Sequence, residues 1–267
     1  MISMTRLALL AALALPGEAL AARSDWEAAD AAQMRLLLTA DDGGDIAGGI
    51  ELLLEPDWYT YWRNPGEAGI PPVFDFAGSE NVEAVDILYP APVRYDDGVS
   101  VSLIYRDEVV FPLAIRPGDA ARPITLRVKA TFGVCREVCI PTQAATEVTL
   151  PSEPDADPLA GARLEQFQAR VPRPPRPGVL DIEAVAVVPD ALLIDVRMPD
   201  SSYADLFAEP PAGWYIGQPA FVSRAGGVSR YRLSLTGRPK GAEAPGQTFR
   251  FVAVAGGEAI EEAWTIR

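Results

Sequence analysis

The sequence contains no histidine. That absence removes Ser-His-Asp and Cys-His nucleophilic sites, histidine-ligated zinc and imidazole acid–base chemistry together. Cysteine is almost absent as well, with Cys135 and Cys139 the only two in 267 residues. A small domain stapled by many disulfides is therefore excluded, and with 49% apolar residues the chain has room for one large or two ordinary cores. Two thiols without histidine leave a structural zinc two ligands short unless carboxylates or a second chain supply them, so neither a metal nor a cofactor is expected. Bases are scarce too: 23 Lys and Arg against 37 Asp and Glu give a net charge of −14. Such a surface repels phosphate backbones, and no nucleic-acid partner is expected. The many acids do not point to a glycosidase-type carboxylate pair, because no spacing singles one out.

Long hydrophobic runs are missing. The longest apolar stretch, Leu7 to Leu15, is far short of the roughly 20 residues of a membrane-spanning helix, so the protein is not expected to span a membrane. With Arg6 before it and the small-residue site Ala19-Leu20-Ala21 after it, this stretch reads as a cleavable export signal over residues 1–21. Its removal takes one base, Arg6, and one acid, Glu18, and leaves the net charge unchanged.

What is present is β patterning. Within an expected first domain of residues 22–150, short runs rich in Val, Ile, Leu, Thr and aromatics from Gln33 to Leu150 are broken by turn clusters. Strands are predicted at Met34–Thr39, Ile46–Leu54, Val82–Leu88, Val101–Tyr105, Val109–Ile115, Ile124–Phe132 and Ala144–Leu150. Turns are predicted at Asp41-Asp42-Gly43-Gly44, Asn64-Pro65-Gly66 and Asp96-Asp97-Gly98. Seven short strands imply a sandwich. Residues 151–177 read as a proline-rich linker bearing a helix that starts at Asp157-Pro158 and puts Leu164, Phe167 and Val171 on one face. Residues 178–267 are β-rich again, with Val179–Val188 and Leu192–Met198 around Pro189-Asp190, then Tyr231–Leu235, and a hairpin of Phe249–Val254 with Ala259–Ile266 across Gly256-Gly257. Trp58-Tyr59 and Trp214-Tyr215 hint that the halves are related. The expected fold class is all-β, two β-sandwich domains joined by that linker.

The Cys-x-x-x-Cys segment has two geometric readings. On a helix the cysteines would share a face; between antiparallel strands they would flank a three-residue hairpin loop. The β-rich flanks, the flexibility of Gly133 and the helix-obstructing Pro141 favour the hairpin. A disulfide there closes so small a ring that the chain-entropy model gives it only roughly 2 kcal/mol. As a staple it is poor, whereas a loop-tip disulfide is well placed for attack by another protein's thiolate. Two readings stay open on spacing alone: a thiol–disulfide relay, and an exported binding or chaperone module whose disulfide is structural. Arg136 is the local cation and Glu137 offsets it, so strong thiolate stabilisation is not indicated.

Three stretches carry a family resemblance: Trp58-Tyr59-Thr60-Tyr61-Trp62-Arg63-Asn64-Pro65-Gly66, Leu103 through Leu113, and the cysteine segment ending Cys139-Ile140-Pro141. In order and spacing they resemble the amino-terminal periplasmic domain of the DsbD and ScsB thiol:disulfide interchange proteins. The long second half is more similar to the ScsB branch. The resemblance implies an immunoglobulin-like sandwich, a periplasmic location, and a redox site at Cys135 and Cys139. In it Cys139 would form the mixed disulfide with partners and Cys135 would resolve it. It also implies electrons arriving from a membrane thiol-redox donor, here acting in trans because neither a multi-helix membrane domain nor a thioredoxin-like domain accompanies the sandwiches. The electrons would leave to oxidised periplasmic thioredoxin-like proteins. Tyr59 and Tyr61 match the family's aromatic positions near the cysteines, and Asp96 and Asp97 the acidic start of a cap loop. Gly98 and Val99 stand where the DsbD form has the two aromatics of the cap tip. The plainer readings are core aromatics for the tyrosines and a simple turn for Asp96-Asp97-Gly98.

Overall fold

A computed structural model describes residues 20–40, 46–152, 157–199 and 203–267. The expected export signal lies outside the described residues except for Leu20 and Ala21, and so does the Asp41-Asp42-Gly43-Gly44 turn. The first half contains β1 (Leu20–Arg23), β2 (Glu27–Ala29), β3 (Ala32–Ala40), β4 (Ile46–Leu54), β5 (Tyr59–Gly66), β6 (Val73–Asp75), β7 (Val82–Ile87), β8 (Val93–Asp96), β9 (Val101–Arg106), β10 (Glu108–Pro117), β11 (Ile124–Cys135) and β12 (Cys139–Leu150). After α1 (Pro158–Gln168) come β13 (Asp181–Val188), β14 (Ala191–Arg197), β15 (Ala204–Glu209), β16 (Ala220–Ala225), β17 (Val228–Ser234), β18 (Thr248–Ala255) and β19 (Glu258–Thr265). The fold is all-β and immunoglobulin-like, as expected.

Each half is a sandwich of two sheets. In the first, β1-β3-β4-β10-β7, with β2 beside β3, faces β12-β11-β5-β9-β8, with β6 beside β11. In the second, β13-β14-β17-β16 faces β15-β18-β19. Period-two patterning drives this: along β11, Ile124, Leu126, Val128, Ala130 and Phe132 are buried in the core while Lys129 and Thr131 between them are exposed. The turns at Asp96-Asp97-Gly98, Pro189-Asp190 and Gly256-Gly257 lie between β8 and β9, β13 and β14, and β18 and β19. Phe207 and Val252 of the second sandwich are buried within the first core beside Trp62, so the halves share apolar contact.

The helix begins where the sequence marks it. Asp157 caps it by accepting from the Leu159 and Ala160 amides at 3.1 and 3.2 Å, and Pro158 occupies the first turn. Ala160, Leu164 and Phe167 form its buried face, whereas Val171, expected on that face, lies beyond the helix end. Leu164 nests over Gly49, where any Cβ would come within 2.6 Å of it. Arg163 and Arg35 both bind Glu51, which is only 3% exposed, and this network fixes the helix to the first sandwich.

Two further expectations fail in the strands and loops here. Asn64-Pro65-Gly66 is not a turn but the irregular end of β5, where the register shifts between Tyr61 and Gly66. The Asn64 side chain takes over the bonding there, accepting from the Gly66 amide and donating to the Ala208 carbonyl of the second sandwich. The paired Trp-Tyr steps do not mark equivalent places. Tyr59 is buried in a strand while Tyr215, in the loop between β15 and β16, is 87% exposed.

Candidate functional site

β11 and β12 form one long hairpin whose last pair is Cys135 opposite Cys139. The helical reading of the spacing is excluded. The sulfurs are bonded, with Cα atoms 4.2 Å apart, and the Arg136 amide donates to the Val138 carbonyl across the tip. Gly133, expected to supply turn flexibility, instead lies inside β11 opposite Pro141. It is needed for close approach, since a Cβ there would sit 2.8 Å from the Ile70 side chain. Pro141 is tolerated because β12 is an edge strand.

The two cysteines are unequal. Cys135 ends an interior strand, flanked by β12 and by Tyr59 of β5, and is 0% exposed. Cys139 opens the edge strand and is exposed. Around Cys135 the outer face of the sheet carries a second small core of Tyr59, Tyr61 and Ile104, with Tyr95 packed against it. Tyr59 and Tyr61 share that face because they are two residues apart on β5. Their rings meet edge to face at 5.7 Å, and Tyr95 lies 5.1 Å from Tyr59.

The Tyr61 hydroxyl lies 3.0 Å from Cys135 Sγ and 3.2 Å from Cys139 Sγ. A disulfide sulfur carries no hydrogen, so the phenol donates to the pair. Burial, reinforced by Tyr59 and the Asp97 carboxylate, pushes the Tyr61 phenol well above its ordinary value, and it keeps this proton at any physiological pH. Gly69 lies against the same ring in left-handed backbone, at φ +134°. From the other side Thr60 donates to the Gly133 carbonyl at 2.8 Å.

Asp96 and Asp97 fold the loop between β8 and β9. Asp96 accepts from the Gly98 amide, and Asp97 from Val99 and Ser100, which lowers the Asp97 carboxyl below its usual range. The loop tip stands in solvent, with Val99 93% exposed. Sequence reasoning missed Tyr95, Ile104 and Arg106. The Arg106 guanidinium sits 4.7 Å over the Tyr95 ring and 5.8 Å from that of Tyr59. The signal for Tyr95 was its place beside Asp96 in a strand too short to show alternation. Arg136 lies over the Trp58 ring at 5.4 Å.

Residues 26–151 match the family model for the amino-terminal domain of the thiol:disulfide interchange protein DsbD. The amino-terminal sandwich is a DsbD/ScsB-type domain. A second comparison concerns shape: the crystal structure of the N-terminal periplasmic domain of ScsB from Proteus mirabilis is similar with a TM-score of 0.74. The match covers 91% of this chain and 98% of that one at 24% identity, so the shared fold extends beyond the DsbD/ScsB-type domain into the second sandwich. No curated protein is a significant match. The cysteine hairpin thus belongs to a thiol:disulfide interchange domain. Among the described residues no helix is long and apolar enough to cross a membrane.

Proposed function

We propose that the protein relays reducing equivalents in the periplasm, from a membrane thiol-redox donor acting in trans to oxidised thioredoxin-like proteins, through Cys135 and Cys139. The observation that carries this reading is the asymmetry of the pair: an exposed Cys139 bonded to a buried Cys135, both sulfurs under one phenol donor. A donor thiolate attacks Cys139 Sγ, the bond to Cys135 breaks, and Cys135 leaves as a thiolate. The Tyr61 hydroxyl stabilises the charge that develops there. A second donor thiolate then releases reduced Cys139, so two electrons have entered, and the thiolates take protons from solvent. In the forward step the Cys139 thiolate attacks a client disulfide, and Cys135 resolves the mixed disulfide and restores the ring. The family's assignment of these two roles agrees with the exposure of each sulfur. Residues 1–21 supply the export signal in this reading.

A redox titration followed by capture tests it. The mature wild-type protein is expected to equilibrate with glutathione or a thioredoxin-like buffer at periplasmic potentials, and Cys135→Ala to accumulate a mixed disulfide through Cys139. The rival reading, a structural disulfide in a binding or chaperone module, requires resistance to reduction until below about −300 mV. That resistance, or recovery of only free monomer from Cys135→Ala cells, would falsify the relay.

A further inference from the structure

β8 has four residues and lies at the edge of its sheet, paired to β9 on one side and, among the described residues, to no strand on the other. So short an edge strand frays unless something else holds it. The second sandwich does so. Arg94 binds both carboxylate oxygens of Asp205, through Nε at 2.9 Å and Nη2 at 2.8 Å. Its Nη2 also donates to the Leu206 and Pro219 carbonyls, each at 3.0 Å. The guanidinium lies 5.7 Å from the Phe207 ring, and the Tyr203 phenol meets the Arg94 main chain. A planar fork on a carboxylate fixes orientation as well as distance.

Successive side chains of a strand point to opposite faces, so gripping Arg94 orients its neighbour Tyr95 toward the cysteine side. There Tyr95 packs on Tyr59, Tyr59 on Tyr61, and Tyr61 donates to the sulfurs. An unbroken series of contacts joins Asp205 to Cys135.

We propose that the second sandwich clamps β8 through Arg94 and Asp205 and thereby holds the tyrosine wall closed over Cys135, making Arg94 a positioning residue for disulfide exchange. The proposal rests on the exchange reading above and gives residues 178–267 a part in it. The wall shields the resolving sulfur while Cys139 stays open to a partner.

The test is native-state alkylation of the reduced mature protein with iodoacetamide, each cysteine followed separately by peptide mass spectrometry. Arg94→Ala is expected to raise the rate at Cys135 about tenfold and to leave Cys139 within about twofold. Tyr95→Ala should give the same rise, and the double variant no more than either alone, because both act on one wall. Arg94→Lys keeps the charge but loses the fork, and should fall between wild type and Arg94→Ala. Asp205→Asn leaves the two carbonyl acceptors in place and serves if Arg94→Ala does not fold; its expected rise is about threefold. Arg230→Ala, which removes an ion pair on Asp195 elsewhere in the second sandwich, should change neither rate. Wild-type labelling of Cys135 in the folded Arg94 or Asp205 variant would overturn the clamp. Equal acceleration at both cysteines, or the same rise in Arg230→Ala, would overturn it too by showing general loosening. Labelling needs no partner protein, so a failure of wild type to exchange with thioredoxin-like proteins would remove the relay and leave the clamp separately testable.

Discussion

The two sandwiches share a construction but cover the outer face of a sheet differently. In the second, β15 and β18 turn Phe207 and Val252 against the first sandwich, whereas in the first the cysteine end is covered by a small core of its own. On β17 in the second, Ser229, Tyr231 and Leu233 are buried and Arg230 and Arg232 exposed, so one face of that strand stays wet along its length. On β11 in the first the same alternation holds as far as Phe132 and then stops, with Gly133, Val134 and Cys135 all buried. The tyrosines of β5 and β8 and the segment at Gly69 and Ile70 cover that end of the outer face. Local chemistry arises where a sheet acquires this second core, because a sulfur shielded there has a different fate from one at the edge.

The sharpest way to break the comparison is at the contact between the halves. Phe207→Ala removes a fully buried ring that packs against Trp62, and is expected to cost about 3 to 5 kcal/mol in urea denaturation. A loss below about 1 kcal/mol would mean that the sandwiches are energetically independent. Next, Glu51→Leu leaves Arg35 and Arg163 without their shared buried carboxylate, and about 3 kcal/mol should be lost with the helix dock; retention of wild-type stability would refute the network's role.

Two tyrosines sharpen the contrast, since each half has a buried phenol facing sulfur. Tyr61→Phe is expected to slow reduction of the disulfide by dithiothreitol about tenfold with an unchanged circular dichroism spectrum. Tyr231→Phe, which loses a contact to Met198 Sδ at 3.8 Å, should leave that rate untouched. Equal effects would separate the Tyr61 contact from the chemistry.

The smallest effect is alkaline and common to both halves. Burial raises Tyr61 and Tyr105 above the ordinary 10.0 and Tyr231 to about 12. The folded state holds these protons more tightly than the unfolded one, so their contribution is complete below pH 10.0 and falls as pH rises through the folded values. Denaturation midpoints should therefore hold steady from about pH 8 to 10 and decline above it, and a flat profile to about pH 11 would show that these phenols are accessible.

Much of this was readable along the chain. Alternation located most strands, Asp157-Pro158 the helix start, and the β-rich flanks of Cys135 and Cys139 the hairpin. β5 was hidden because Tyr59, Thr60, Tyr61 and Trp62 are all buried and show no period of two, and because Asn64-Pro65-Gly66 reads as a turn. β8 was hidden by shortness and β15 because Asp205, Leu206, Phe207 and Ala208 are all buried and show no alternation, and with them went Arg94, Tyr95 and Asp205, whose meeting depends on residues 111 positions apart.

The amino-acid order alone determined the all-β class, the single thiol pair and its five-residue ring, since these follow from local periodicity, composition and spacing. Only the tertiary structure decided which sulfur faces solvent, which phenol reaches it and what braces that phenol from behind. Those outcomes depend on which strands become edges and which sheet faces meet, and such long-range burial leaves no local pattern in the sequence.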